Sequence, residues 1–339
     1  MKQKPWTCTS GTTKSRVMNG TWRWTMTGSR KGIAAAGAVL LMIVGLFPIA
    51  VKAAGTYDLL RIDASPRGAA LGSFPVSLSY HDLSAVMHNP AGLVHLEGKQ
   101  ASVVYNDLPL DPAGGFLAYG QPMAQGYVGV GVTYLDYGEF DRIATFDAGT
   151  EGSFGASEFL VSGSYGRVLP WAEGLSAGAT VKFMYGSIEE YTSSAVGLDL
   201  GLLWRTGYHD WDVAASASNL GTQLSSYDGF TESLPTTFRV GIAKQLEHLP
   251  LQLTATGHYE LEEDIFATFA GEFTVDPKLL LRVGYTTLAT DFKVESDRDS
   301  IAGFSAGIGV RHKQLRLDYA VYAMGALGEV HRIGIGATL

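Results

Sequence analysis

From about Lys99 to Leu339 the chain is written as short segments in which bulky apolar residues alternate with small or polar ones, with turn residues between them. A period of two sends successive side chains to opposite faces of a strand. Leu279, Leu281, Val283 and Tyr285 share one face, and Leu280, Arg282, Gly284 and Thr286 the other. Likewise Leu251, Leu253, Ala255, Gly257 and Tyr259 oppose Gln252, Thr254, Thr256, His258 and Glu260, and the run from Leu175 to Tyr185 divides in the same way. A soluble sandwich also alternates, but it turns its apolar face to a core and carries a highly charged surface. Here charged residues are 17% of the chain and gather in turns. That pattern fits a closed barrel with a lipid-facing exterior and a polar lumen.

The segmentation predicts fourteen strands, near 99–106, 114–122, 126–135, 157–168, 175–186, 194–205, 211–219, 236–245, 251–260, 265–275, 279–289, 301–311, 315–324 and 329–339. The fold class is therefore all-β, a 14-stranded antiparallel transmembrane barrel, and an even count is what bacterial outer-membrane barrels have. Longer connections at 136–156, 221–235 and 290–300 follow odd-numbered strands, and short ones at 123–125, 276–278 and 313–314 follow even-numbered ones. Barrels of this kind place long loops outside and short turns in the periplasm, so both termini are expected on the periplasmic side of the outer membrane.

The N-terminus agrees with export. Residues 1–53 hold eight Lys or Arg and no Asp or Glu, and the apolar run Ile33 to Val51 follows Arg30 and Lys31. A basic region before a hydrophobic one is the order of a secretory signal, with cleavage expected after Ala53 and Ala54 as the near alternative. Met18 and Met26 are alternative starts that would give a leader of ordinary length, and an uncleaved anchor is the competing reading. Without residues 1–53 the chain carries 17 Lys plus Arg against 33 Asp plus Glu, a net charge of −16, which argues against nucleic acid as a partner. The single cysteine, Cys8, lies in the leader, so the mature chain is expected to have no disulfide and no thiolate metal site.

Residues 54–98 do not alternate. Arg67-Gly68-Ala69-Ala70-Leu71-Gly72 is small and flexible, a helical turn is expected over Asp82 to Met87, Pro90 stops it, and Gly92 permits a tight approach. A Gly/Ala-rich unit of this length fits inside a barrel of this size as a hatch, with a periplasmic extension as the alternative. The expected organisation is thus signal peptide 1–53, hatch 54–98 and barrel 99–339. Gly55-Thr56-Tyr57-Asp58-Leu59-Leu60, the Arg67 to Gly72 run and Asn89-Pro90-Ala91-Gly92-Leu93 resemble the hatch of the PorV/PorQ family, whose barrels are related to the FadL fatty-acid transporters. The run Tyr137 to Phe140, Gly152 to Phe159, Lys182 to Gly186 with Glu190-Tyr191, Ser218-Asn219-Leu220-Gly221 and Leu234-Pro235-Thr236-Thr237-Phe238-Arg239 are similar to further motifs of that family, closest to its PorQ branch. The resemblance implies a non-enzymatic component of the type IX secretion system, docking with proteins resembling PorU, PorV and PorZ. It marks Arg67, Gly72, Asn89, Pro90 and Gly92 as structural hatch residues.

For a docking surface the residues point to the 136–156 connection, where Tyr137, Glu139, Phe140, Asp141, Phe146 and Phe154 mix rings with charges. A loop folded over its own barrel mouth is the equal alternative. Gly303-Phe304-Ser305-Ala306-Gly307 matches G-x-S-x-G, but alternation runs through it, where a nucleophile elbow needs a strand-to-helix turn. Ser305 is expected to be a lumen-facing hydroxyl and the chain no enzyme. His81, His88 and His95 recur every seventh residue but are interrupted by Pro90 and Gly92. Asp291, Glu295, Asp297 and Asp299 lack a full calcium-loop pattern, so neither metal nor cofactor is expected. Inward-facing Lys182, Arg239, Glu272, Arg282, Arg316 and Asp318 are expected to pair with one another or with the hatch. The rival function is a FadL-like channel for hydrophobic compounds. It needs a continuous apolar path, whereas the inward-facing residues read from the sequence are mostly Gly, Thr, Ser and charge.

Overall fold

Fourteen antiparallel strands close on themselves in the computed structural model, which describes residues 57–78, 81–109, 112–143, 150–227, 229, 231–261, 265–292 and 297–339. They are β1 (Gln100–Asp107), β2 (Ala113–Met123), β3 (Gly126–Ile143), β4 (Thr150–Val168), β5 (Leu175–Ile188), β6 (Tyr191–Arg205), β7 (Trp211–Ser225), β8 (Thr237–Gln245), β9 (Leu251–Glu260), β10 (Ile265–Asp276), β11 (Leu279–Thr286), β12 (Phe304–His312), β13 (Leu315–Ala323) and β14 (Glu329–Thr338). Each strand pairs with its sequence neighbours. β14 closes the barrel on β1 in a ladder that runs from Gln100 opposite Thr338 to Asp107 opposite His331. The leader with Cys8, the expected cleavage site and Phe146 lie outside the described residues.

The alternation read from the sequence is the inside–outside division of the wall. Leu281 and Val283 stand exposed on the outer face, while Leu280, Arg282, Gly284 and Thr286 are buried on the inner one. Connections at one end of the barrel are no longer than six residues, and the two longest, 226–236 and 287–303, lie at the other. Three departures from the expected strand boundaries matter. β3 and β4 run on as a paired hairpin through Glu139 opposite Gly155 and Asp141 opposite Ser153, so much of the expected 136–156 loop is strand. β11 stops at Thr286, where Thr287–Phe292 turns into a 3-10 helix. Gly303 lies in a left-handed turn, φ +84°, so β12 starts at Phe304 rather than three residues earlier.

The described residues between 57 and 98 pack against the inner face of the wall as a plug. Pro66–Ala70 forms a short helix with Pro66 in its first turn and Ser65 as its cap, the Ser65 Oγ accepting from Gly68 N at 3.1 Å. The expected Asp82–Met87 turn is a helix over Ala85–His88, and Pro90 starts a 3-10 turn, Pro90–His95, rather than only ending one. Asn89 caps that turn through its Oδ1, which accepts from Ala91 N at 3.1 Å. An apolar cluster that includes Leu71, Leu78, Leu83, Val86 and Leu93 meets Val104, Phe116, Ala118 and Tyr127 of the first three strands. Glycines in the wall make this approach possible. A Cβ at Gly201 would lie 2.0 Å from Asn89 Oδ1, and one at Gly178 would lie 2.5 Å from Pro90 O.

Candidate functional site

Two features of the lumen define the candidate site: a charged latch that holds the plug segment, and an apolar chamber that the chain's own side chains fill.

The latch is an alternating chain of three arginines and three carboxylates. Arg67, from the plug helix, donates through Nε and Nη2 to the two carboxylate oxygens of Glu272 on β10, at 2.9 and 2.7 Å. Glu272 also accepts from Arg282 Nε on β11 at 2.6 Å, and Arg282 Nη1 reaches Asp318 on β13 at 2.6 Å. Asp318 accepts from Arg316 Nε at 2.5 Å, and Arg316 Nη1 returns to the plug at Asp82, 3.3 Å away, with Asp82 lying 3.5 Å from Arg67. The loop closes on itself and its charges balance. Burial by itself would raise the Asp82 carboxyl, but Arg316, Arg67 and the Ser84 hydroxyl and N–H hold it well below the usual carboxylate range. Burial by itself would lower Arg67, and Glu272 and Asp82 instead raise it. A second plug carboxylate, Asp63, is fully buried and takes His88 Nε2 at 2.9 Å and Phe74 N at 2.7 Å.

The residues marked for the hatch occupy distinct places. Arg67 is the centre of the latch. Gly72 adopts φ +82° and donates to Ser305 Oγ at 3.2 Å, while Ser305 donates to Ala70 O at 3.1 Å. The hydroxyl of the G-x-S-x-G motif is therefore buried and spent on holding the plug backbone. Asn89 Nδ2 donates to Val76 O and to Leu202 O of β6, pinning the Pro90 turn to the wall. Gly92 is buried, its N–H donating to Asn89 O at 2.9 Å. His88 lies on Asp63, apart from His81 and His95, which line one cleft at the short-turn end. Among the described residues no three His, Cys, Asp or Glu side chains converge as metal ligands. Glu295 and the side chains of Asp291 and Asp297 lie outside that set.

The chamber was not visible from the sequence. Leu135, Leu160, Met184 and Ala195 of β3 to β6 face inward and form one apolar cluster with Tyr57, Leu59 and Leu60 and with Leu234 of the 226–236 segment. Tyr57 Oη and Ser193 Oγ are 2.6 Å apart, and Leu59 N donates to Glu158 Oε2 at 2.9 Å. These contacts place Tyr57 inside the barrel toward the long-loop end, whereas Leu339 bonds Lys99 at the opposite end. The N-terminus itself lies outside the described residues.

Leu234 reaches the chamber because the wall changes course at Asn219. β8 pairs with β7 only up to Ser218 opposite Thr237, and Asn219 takes φ +62°. Asn219 accepts from Lys182 Nζ at 2.7 Å, its N–H donates to Asp199, and its Nδ2 donates to Pro235 O at 2.9 Å. Two motifs sixteen residues apart, around Asn219 and Pro235, are one structural joint. Lys182 also pairs with Asp199 at 2.7 Å, and Arg239 bonds Ser218 and His258 and covers the Phe74 ring.

The expected docking residues divide. Tyr137 packs inward against the chamber cluster. Phe140 is exposed and its ring lies 5.6 Å from that of Phe154, Glu139 accepts from Ser153, and Asp141 is exposed on the hairpin.

No family model matches the sequence, and no curated protein matches it either. Solved structures do match. The toluene transporter TbuX of Ralstonia pickettii aligns over 81% of this chain and 98% of its own, with 13% identity and a TM-score of 0.58. The toluene transporter TodX of Pseudomonas putida aligns over 85% and 97%, with 13% identity and a TM-score of 0.55. A FadL homologue of Pseudomonas aeruginosa aligns over 80% and 98%, with 13% identity and a TM-score of 0.49. The two toluene transporters share the fold of this chain, a closed 14-stranded antiparallel barrel. These matches carry the fold alone, and the PorV/PorQ resemblance rests on the sequence motifs alone.

Proposed function

We propose that the chain is an outer-membrane channel for small hydrophobic compounds. One observation carries this reading: inside the barrel Leu135, Leu160 and Met184 of the wall form one apolar cluster with the chain's own Tyr57, Leu59 and Leu60, whose place an apolar guest would take. An apolar guest gains by leaving water for such a chamber, roughly 25 cal/mol per Å² of surface buried, and it enters by displacing residues tied down by only a few hydrogen bonds. The inward Gly, Ser and Thr positions, which weighed against transport in the sequence, are where the plug docks and not where the guest sits. The two toluene transporters that share the fold support the same chemistry.

The docking role in type IX secretion has less behind it. It rests on the order of sequence motifs, and Tyr137 of its expected contact surface turns toward the chamber. A deletion strain separates the two. Reduced uptake of labelled toluene with an unchanged surface proteome supports the channel. Unchanged uptake, with surface proteins that carry type IX signal domains lost or left uncleaved, would replace it with the docking role.

A further inference from the structure

The outer face of the barrel carries a trough of about 680 Å³ over β8 to β12. Its floor is set by small residues. Gly271 stands in one cross-strand row with Leu253 and Val283, and Ala255 sits beside Phe269 in the next row. Phe269 and Phe273, two positions either side of Gly271 on the same face of β10, wall the trough. An added Cβ at Gly271 would meet the ends of Leu251 and Leu253, at 3.3 and 3.6 Å, and Gln252 O only at 4.0 Å, and Gly271 has no left-handed φ, so backbone strain does not account for glycine there.

Lys244 continues the row of Gly271 at the short-turn end, opposite Leu253 on one side and Trp211 on the other. Two strand spacings, about 10 Å, separate it from the trough floor. Its Nζ lies 5.1 Å from the Trp211 ring centroid and donates to His209 O at 2.7 Å. An ammonium has three donors, so two remain for a ligand. A Trp and a Lys at a strand end mark headgroup depth, and the residues beyond them mark acyl depth. The rim also carries the exposed Glu247 carboxylate, 3.5 Å from His209 Nδ1.

We infer that this trough is a phospholipid site in the leaflet at the short-turn end: one acyl chain lies over Gly271, the phosphate sits on Lys244, and an ammonium headgroup faces Glu247. The trough is lined by Phe269, Phe273, Leu281 and Val283 beside Gly271, an apolar surface that suits an acyl chain next to the Lys244 ammonium. The site stands apart from the lumen, so it holds or fails independently of the transport reading.

The test uses the barrel in nanodiscs containing a phosphatidylethanolamine with a photoactivatable acyl chain, followed by native mass spectrometry. Crosslinks are expected around Gly271 on β9 to β11. Retention of the lipid is expected to fall about ten-fold in Gly271→Leu, in the second filling variant Ala255→Leu and in Lys244→Gln. Heat-modifiable gel mobility checks that each variant is a folded barrel. Equal retention in the wild type and the filling variants overturns the site. Equal retention of a diacylglycerol, which lacks the phosphate, overturns the headgroup assignment. Loss of a dimer in Gly271→Leu would instead make the trough an interface between copies.

Discussion

Replacing Arg67 by Met tests the latch directly. Arg67 is 2% exposed and makes the paired contact with Glu272 that joins the plug to β10. Arg67, Arg282 and Arg316 balance Asp82, Glu272 and Asp318. The Met variant leaves two cations for three buried anions. Removing one partner of a buried pair costs about 3–5 kcal/mol, because the remaining charge keeps its desolvation penalty. If that cost falls on docking, the ratio of docked to released plug drops roughly 10²- to 10⁴-fold. The double variant Arg67→Met/Glu272→Met restores balance, with Arg282 and Arg316 facing Asp82 and Asp318. It is expected to return to within about 1–2 kcal/mol of the wild type, since replacing a whole buried pair by apolar residues is often near neutral. Hydrogen exchange over residues 66–96 reads the docking, and planar-bilayer conductance reads its effect on the lumen. The reasoning is refuted if Arg67→Met leaves exchange unchanged, or if the double variant is no better than the single one.

Other predictions follow from single contacts. Gly201→Ala places a methyl against Asn89 and is expected to destabilise the plug by about 1–3 kcal/mol, whereas Gly163→Ala, which meets nothing within 4 Å, leaves thermal stability unchanged. Acidification should loosen the short-turn end of the plug. Burial, together with Arg67 and Arg311, holds His81 down to about 4, against the pull of Asp82 and Glu272, and burial with Arg205 and His81 holds His95 down to about 4. A released imidazole titrates near 6.5, roughly the reference value, so it takes up a proton first. Docking is then full above about pH 6.5 and weakens as pH falls toward 4. A methyl-labelled Met87 whose signal is the same at about pH 7.5 and 5 would contradict this sign. Asn219→Gly keeps the left-handed backbone but removes the side-chain bonds to Lys182 and Pro235. It should free the 226–236 segment and weaken binding of an apolar probe by roughly ten-fold, the loss of about 1–1.5 kcal/mol, and unaltered affinity would detach Leu234 from the chamber.

What could be read in the chain was what depends on local period. Leu281 and Arg282 differ by one position and face opposite sides because a strand has a period of two, so the strand count, the barrel and the inward charges were all legible. The tips of β3 and β4 were not. Their Gly, Asp and Glu content reads as loop, yet pairing across the hairpin overrides local propensity. The partners of Arg67 lie 205 and 15 residues away, at Glu272 and Asp82, and no periodicity links them. Asp82 and Asp63 announce themselves only as carboxylates two residues before a serine, Ser84 and Ser65. The sequence by itself determined which side of the wall each strand residue faces, because that is set by neighbours one and two positions away. Only the tertiary structure decided which inward residues meet the plug, which form the apolar chamber, and that Asn219 and Pro235 make one joint. Those choices depend on barrel closure and on where the plug comes to rest, and both are set by contacts between segments distant along the chain.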